Sequence, residues 1–304
     1  MLKILRNKLL GQYINGNYTV KIFDDGTKIR ENDLDNLTPS FPESIDITIT
    51  KKCNGGCKYC YENCNENGKH GDILNAKFID SLHPYTELAL NGNDLTHPDI
   101  EKFLYKLHKK HIIANMTVNQ RHFEANYDYI TWLVEKEYIH GLGVSLVDPR
   151  SCAFLAHVAL IPTAVLHVVC GVFSKEDYEY IINNGYVDSR KLNLLILGYK
   201  YMGRGKDYYE QNTELVDSNI AWLDSADLTN NFRLVCFDNL ALGQLHIKDK
   251  VSKETWDKYY MGDDGKYTMY IDMVNNEFAK NSMSQKRYKI SDNVEDMFDI
   301  VRKF

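Results

Sequence analysis

Two rhythms of apolar and polar residues trade places along the middle of this chain. The runs "SIDITIT", "TELALN", "IIANMTVN", "GLGVSLV", "AVLHVVCGV" and "KLNLLIL" are short and rich in aliphatic and β-branched residues, the pattern of strands. Between them lie "DILNAKFIDSLH", "HPDIEKFLYKLHKK", "NYDYITWLVEKEY", "CAFLAHVAL" and "KEDYEYIINN", which read as helices. Six strands with five intervening helices across residues 44–199 predict consecutive βα units. Such units build a parallel sheet or an open barrel through right-handed crossovers. The near-uniform apolarity of the strands predicts a sheet buried on both faces.

The flanks carry a different pattern. Residues 1–43 read as a β-hairpin arm: "YINGNYTVKIF" and "TKIREND" are strand candidates around the turn "DDG", with "NG" marking a second turn. Pro39 and Pro42 then punctuate the chain. Residues 201–304 form a mixed α+β extension. It holds "CFDNLALGQLHI", a helix at "SKETWDKYYM", the turn "GDDGK", an edge strand "YTMYIDMV", a strand "EFAKNS" and a closing helix "NVEDMFDIVRKF".

Composition narrows the picture. The 304 residues are 44% hydrophobic and 26% charged, ordinary for a globular protein with a substantial core. A net charge of -6 leaves no basic footprint for a nucleic acid backbone, although a nucleotide or small acidic substrate stays open. Residues 151–173 contain no formally charged side chain and match the length of a membrane span. Pro162, His157 and His167 argue against that, and a buried helix followed by a buried strand explains the segment better. No membrane partner is expected. The first twenty residues mix basic with apolar positions and show no secretory signal. Seven cysteines, four of them (Cys53, Cys57, Cys60 and Cys64) in one loop, fit metal binding in a reducing cytoplasm better than a disulfide framework.

Functional residues of βα folds gather at the carboxyl ends of the strands. There this chain offers the cysteine loop, then "NGND", Asn119, Ser145 and "GYKYMGRGK". The first of these, "CNGGCKYCY", places three thiols at a CxxxCxxC spacing directly after a strand. Three thiolates hold three irons of a cubane cluster and leave the fourth iron without a protein ligand, free to chelate a small molecule. Zinc is the competing reading, with Cys57 and Cys60 at zinc-like spacing and Cys53 and Cys64 completing a four-thiol site. Against it, no second separated CxxC or CxxH pair exists. Cys152, Cys170 and Cys236 sit in apolar surroundings and read as core residues, and His70 and His97 as surface or capping residues.

At this point the sequence resembles the radical S-adenosylmethionine superfamily. Its defining motif is CxxxCxxC after the first strand of a partial barrel, with an aromatic residue before the last cysteine, here Tyr59. The resemblance spans roughly residues 44–200 and implies an α/β fold, a partial (βα)6 TIM-like barrel, flanked by the hairpin arm and the C-terminal extension. It implies that Cys53, Cys57 and Cys60 ligate a [4Fe-4S] cluster and that the open iron binds the amine and carboxylate of S-adenosylmethionine. Reductive cleavage would give methionine and a 5′-deoxyadenosyl radical, which abstracts hydrogen from an unidentified peptide or small molecule. An external one-electron reductant such as flavodoxin or ferredoxin would be the redox partner. The enzyme would be an oxidoreductase or a transferase.

The same resemblance assigns cofactor contacts. "NGNDLTHPD" occupies the place of a GGEP-like stretch that holds the methionine amine, aligning Gly92 with its second glycine and Asn93 with its glutamate. Asp94 falls where proline stands in the family, and a one-residue slip makes it the acid. Asn119 and Ser145 match positions that contact ribose or carboxylate, and Tyr59 suits a place near the adenine. For each, a turn, capping or packing role is the plain alternative. Arg204 and Lys206, between glycines, suit an anion such as phosphate or carboxylate, with a solvated basic turn as the alternative. The extension holds only Cys236, so a second cluster is not expected. The rival function is a non-catalytic zinc- or cluster-binding interaction module on a degenerate scaffold of this kind. The hairpin arm is either a peptide-docking edge or a cap over one barrel end.

Overall fold

The computed structural model describes residues 8–303 apart from 35, 188, 229 and 230. Three antiparallel strands open it: β1 (Leu9–Asn15), β2 (Tyr18–Phe23) and β3 (Lys28–Glu31). Gly16 takes the left-handed conformation that the first tight turn requires, with φ +60. The expected arm is therefore a three-stranded sheet of its own.

A second, ten-stranded sheet dominates the fold. Its parallel run consists of β4 (Ser44–Thr48), β5 (Glu87–Leu90), β6 (Ile113–Asn119), β7 (Gly141–Ser145) and β8 (Ala164–Val169). A two-residue hairpin, β9 (Tyr186–Val187) with β10 (Arg190–Lys191), precedes β11 (Asn193–Leu197), which pairs with β8. The connecting helices are α1 (Ile100–Lys109), α2 (Gln120–Ala125), α3 (Tyr127–Glu135), α4 (Cys152–Leu160) and α5 (Lys175–Asn183). Residues 151–173 are thus a helix and a strand, and among the described residues no helix is long and apolar enough to cross a membrane.

The chain departs from the sequence pattern in four places. "DILNAKFIDSLH" yields only a 3-10 turn, Lys77–Ser81, preceded by a local turn in which the Asp72 carboxylate accepts from the Asn75 backbone N–H at 3.2 Å. After α6 (Arg204–Gln211) and α7 (Thr213–Ser225), "LVCF" becomes a further parallel strand, β12 (Leu234–Phe237), beside β11. Helices α8 (Asn239–Gln244), α9 (Ile247–Lys250) and α10 (Lys253–Tyr259) follow. "TMYID" forms β13 (Thr268–Asp272), which is no edge strand: it pairs parallel with β4 and antiparallel with β14 (Glu277–Ala279). Strand β15 (Tyr288–Lys289) and helix α11 (Val294–Arg302) finish the chain.

The fourth departure concerns the faces of the sheet. One face is fully buried, with Ile45, Ile47, Leu88, Met116, Val144 and Leu166 packed on helix residues such as Phe103, Leu107 and Leu133. Residues at the alternate positions, Asp46, Asn115, Thr117, Asn119, Ser145 and His167, are half-buried or exposed. Helices cover the first face alone. The second is polar from β4 to β7, which the hydrophobic runs conceal because the polar residues sit singly between apolar ones.

The three-stranded sheet is held at the N-terminal end of this parallel run by a buried ion cluster. Glu43, just before β4, accepts from Arg30 Nε and Arg30 Nη2, both at 2.8 Å, and from Tyr18 Oη at 2.6 Å. Lys28 pairs with Glu87 at the start of β5 and lies 3.9 Å from Glu43. The Glu43 side chain is 1% exposed and that of Lys28 4%. Breaking such a cluster strands buried charges, so Glu43→Ala is expected to lower stability by about 3 to 5 kcal/mol. Urea unfolding measures it; a loss below about 1 kcal/mol contradicts the clamp.

Candidate functional site

Residues 53–64 leave β4 at the opposite, carboxyl end of the sheet. The Gly55 N–H donates to Cys53 Sγ at 3.3 Å, and Asn119 Nδ2 to Cys57 Sγ at 3.5 Å. A second turn, residues 198–206 after β11, closes over this loop. Arg204 donates its backbone N–H to the Cys60 carbonyl at 3.1 Å and its Nε to the Cys57 carbonyl at 3.1 Å. Gly203, at φ +56, lies so close that a Cβ would sit 2.3 Å from the Tyr61 carbonyl oxygen. Tyr199 Oη donates to the Gly205 carbonyl at 2.6 Å and fixes the turn. Burial raises the thiols of Cys53 and Cys57, and the Arg204 guanidinium opposes that rise on both. Cys60 is lowered to about 6, first by a hydrogen bond with the Cys64 thiol, with Arg204 acting in the same sense. Among the described residues, no three His, Cys, Asp or Glu side chains are already gathered as for a metal ion.

The "NGND" loop after β5 packs beside these thiols. Gly92 has φ +119 and open space around it, with only the Thr50 carbonyl oxygen at 3.4 Å from a would-be Cβ. Asn93 is buried, and its Oδ1 has no hydrogen-bond partner. Asp94 is 0% exposed, and neither carboxylate oxygen has a partner. Burial alone holds its carboxyl far above the ordinary 3.8, and its charge acts on Cys53. A carboxyl buried without partners costs free energy unless something absent from the chain satisfies it. His122 completes this corner, donating from Nε2 to Asn54 Oδ1 at 2.7 Å with Asn93 Nδ2 at 3.3 Å. Its Nδ1 is buried and unpaired. Nothing in the sequence singled out His122, which follows Asn119 because that residue's Oδ1 caps α2 by accepting from the Arg121 N–H at 3.0 Å.

The structure thus brings Cys53, Cys57, Cys60, Gly92, Asn93, Asp94 and Asn119 to one corner. Ser145 stands beside Asn119 in strand register. Tyr59 packs its ring edge-on against Tyr208, with centroids 6.1 Å apart. Arg204 and Lys206 do not converge: Arg204 folds onto the cysteine loop, while exposed Lys206 lies 3.8 Å from Glu210 one helical turn on. Cys64 and Cys170 are buried, but Cys152 is exposed against Tyr180 Oη at 3.3 Å. His97 is buried, its Nε2 donating to the Gly71 carbonyl at 2.9 Å, while its Nδ1 accepts from the Asp99 N–H at the start of α1.

A polar floor extends from the cysteine loop across β4 and β13. Tyr270 Oη donates to Glu62 at 3.0 Å and meets Thr48 Oγ1 at 2.9 Å, while Lys51 bridges Asp272 at 2.8 Å and Glu62 at 3.6 Å. Lys200 Nζ sits 3.9 Å over the Tyr61 ring and donates to Ser282 Oγ at 2.9 Å. Asp46, on the same face, is raised to about 6 by the protein around it and by Asp264 and Asp238, against the pull of Lys200. These groups come from segments up to 222 residues apart, which no local motif registers.

No family model matches the chain, and no curated protein matches it in sequence. Solved structures do. Streptococcus suis SuiB superposes with a TM-score of 0.56 at 14% identity, covering 100% of this chain and 91% of SuiB. Streptococcus suis SuiB bound to S-adenosylmethionine gives 0.52 at 13% identity, covering 96% and 90%. The chain shares the SuiB fold. It is a mixed α/β protein built on one large, mostly parallel sheet.

Two predictions follow from the corner's geometry. Above pH about 4, the unfolded chain ionises Asp94 while the folded metal-free protein keeps it protonated, so stability falls with rising pH by about 1.4 kcal/mol per unit until the raised folded value is passed. Urea midpoints of Asp94→Asn should lack the decline that sets in above pH about 4 in the wild type; an unchanged slope contradicts the assignment. Gly203→Ala should cost at least about 2 kcal/mol, because it combines a glycine-only conformation with a backbone clash. Thermal melts should show this against Gly243→Ala in α8, where a Cβ meets nothing within 4 Å.

Proposed function

We propose that this chain is a radical S-adenosylmethionine enzyme whose Cys53, Cys57 and Cys60 hold a [4Fe-4S] cluster. One observation carries the reading: the fully buried Asp94 carboxyl, without a partner, lies beside a three-thiol loop in a fold shared with a protein seen bound to S-adenosylmethionine. The donor set fits the group. Three thiols supply three ligands, Arg204 offsets their accumulating negative charge, and Asp94 with Asn93 offers unpaired acceptors to an ammonium. Asn119 and Ser145 would orient the nucleoside. When bound, the cluster supplies the electron that splits S-adenosylmethionine into methionine and a 5′-deoxyadenosyl radical, which takes hydrogen from the substrate.

In this reading the sheet is an open (βα) barrel. Supporting the curl, Asp46 on β4 feels Asp238, which follows β12. In a flat sheet these two strands, six spacings apart, would stand roughly 29 Å from each other. Residues 44–200 carry the cofactor, 8–43 cap one end, and 201–303 add the outer strands; residues 1–7 of the expected arm lie outside the described residues. Free thiols at all seven cysteines suit a reducing cytoplasm. The substrate is a peptide or small molecule, and an external carrier of the flavodoxin or ferredoxin kind supplies electrons.

Anaerobic reconstitution tests this. About four irons and four sulfides per chain are expected, with a reduced-cluster resonance perturbed by S-adenosylmethionine and release of 5′-deoxyadenosine. Cys53→Ala, Cys57→Ala and Cys60→Ala should each lose the cluster, whereas Cys64→Ala should retain it. A colourless protein with stoichiometric zinc held by four thiols overturns the reading in favour of an interaction module.

A further inference from the structure

On β6, β7, β8 and β11 the uncovered face holds one titratable side chain, and that reading has no use for it. His167 lies in β8 with its ring flat on β7 at Gly143, where a Cβ would stand 2.2 Å from Cε1 and 2.4 Å from Nε2. Its Nδ1 is buried and has no hydrogen-bond partner. Burial is the sole influence on its charge state, lowering it to about 4, so the ring is neutral and faces no counter-ion. An orphaned buried N–H is costlier than an orphaned acceptor, which puts the proton on Nε2, the ring nitrogen not wholly shut off from solvent.

Strand register gives His167 its place. Asn119, Ser145, His167 and Leu195 stand side by side on β6, β7, β8 and β11. At about 4.8 Å per strand, His167 is roughly 10 Å from Asn119, whose amide touches Cys57. It is therefore one strand beyond the positions suited to the nucleoside. Here the face changes character. Asp46, Asn115 and Thr117 are polar on the side towards β4, whereas Val165, Val169, Leu195 and Leu197 make an apolar wall on β8 and β11.

We propose that His167 contacts the substrate, donating from Nε2–H to a neutral amide carbonyl of a peptide-like molecule whose apolar side chain lies on Val165, Val169, Leu195 and Leu197. A neutral imidazole without charged neighbours suits an uncharged acceptor rather than a carboxylate. This subsite rests on the radical S-adenosylmethionine reading, which assigns Ser145 and Asn119 to the cofactor.

The probe is N-acetyl-leucine methylamide, titrated by saturation-transfer NMR into the full chain, both metal-free and reconstituted with S-adenosylmethionine. Binding to the wild type should weaken at least fivefold in His167→Leu and survive within twofold in His167→Gln, which keeps a neutral donor. N-acetyl-leucine, bearing a carboxylate, should bind more weakly than the methylamide. Equal binding by His167→Leu, tighter binding of the carboxylate, or no wild-type binding in a protein that cleaves S-adenosylmethionine overturns the subsite and leaves the enzyme reading standing. If no cluster forms, the enzyme reading fails, and the metal-free titration still decides whether His167 binds the amide.

Discussion

Two turns that leave the sheet from strands five positions apart lie backbone against backbone, and the candidate site depends on their staying there. The contact between residues 53–64 and 198–206 is too close for any side chain at Gly203. Arg204 closes it with two donors to carbonyls of the cysteine loop. A guanidinium fixed by backbone geometry cannot swing away as a surface lysine would, so its charge acts on all three thiols. Packing and electrostatics therefore come from the same residue.

The sheet is asymmetric in chemistry as well as in packing. Helices bury the aliphatic face, while the opposite face presents single polar residues at strand spacing. The two ends also differ. The N-terminal end is closed by ion pairs around Glu43 whose members satisfy one another, and the carboxyl end gathers Asn93, Asp94 and His122 with atoms left unpaired. A saturated cluster stabilises the fold. An unsaturated one costs stability and is kept where a ligand can use it.

Much of this was legible in the sequence. The six core strands and most of their helices follow from periodicity, and the cysteine spacing marks the loop that the structure sets beside "NGND" and Asn119. Register and distance were not legible. "TMYID" reads as an edge strand because nothing local shows that β4 has an open side for it. His122, Asp46 and Lys200 are ordinary residues in the sequence and acquire meaning only from neighbours brought in by the fold. The helix expected at "DILNAKFIDSLH" shrinks to the 3-10 turn Lys77–Ser81.

The pairing of β13 with β4 sets an order of assembly. Thr48 and Tyr270, bonded across these strands, are 222 residues apart. At ordinary ribosomal speed, about 5 to 20 residues per second, the strand that carries the cysteine loop waits roughly 10 to 45 seconds for its second neighbour to emerge. During that interval the thiols hang from a half-supported strand. The candidate site is thus completed only at the end of synthesis, after the last third of the polypeptide has docked.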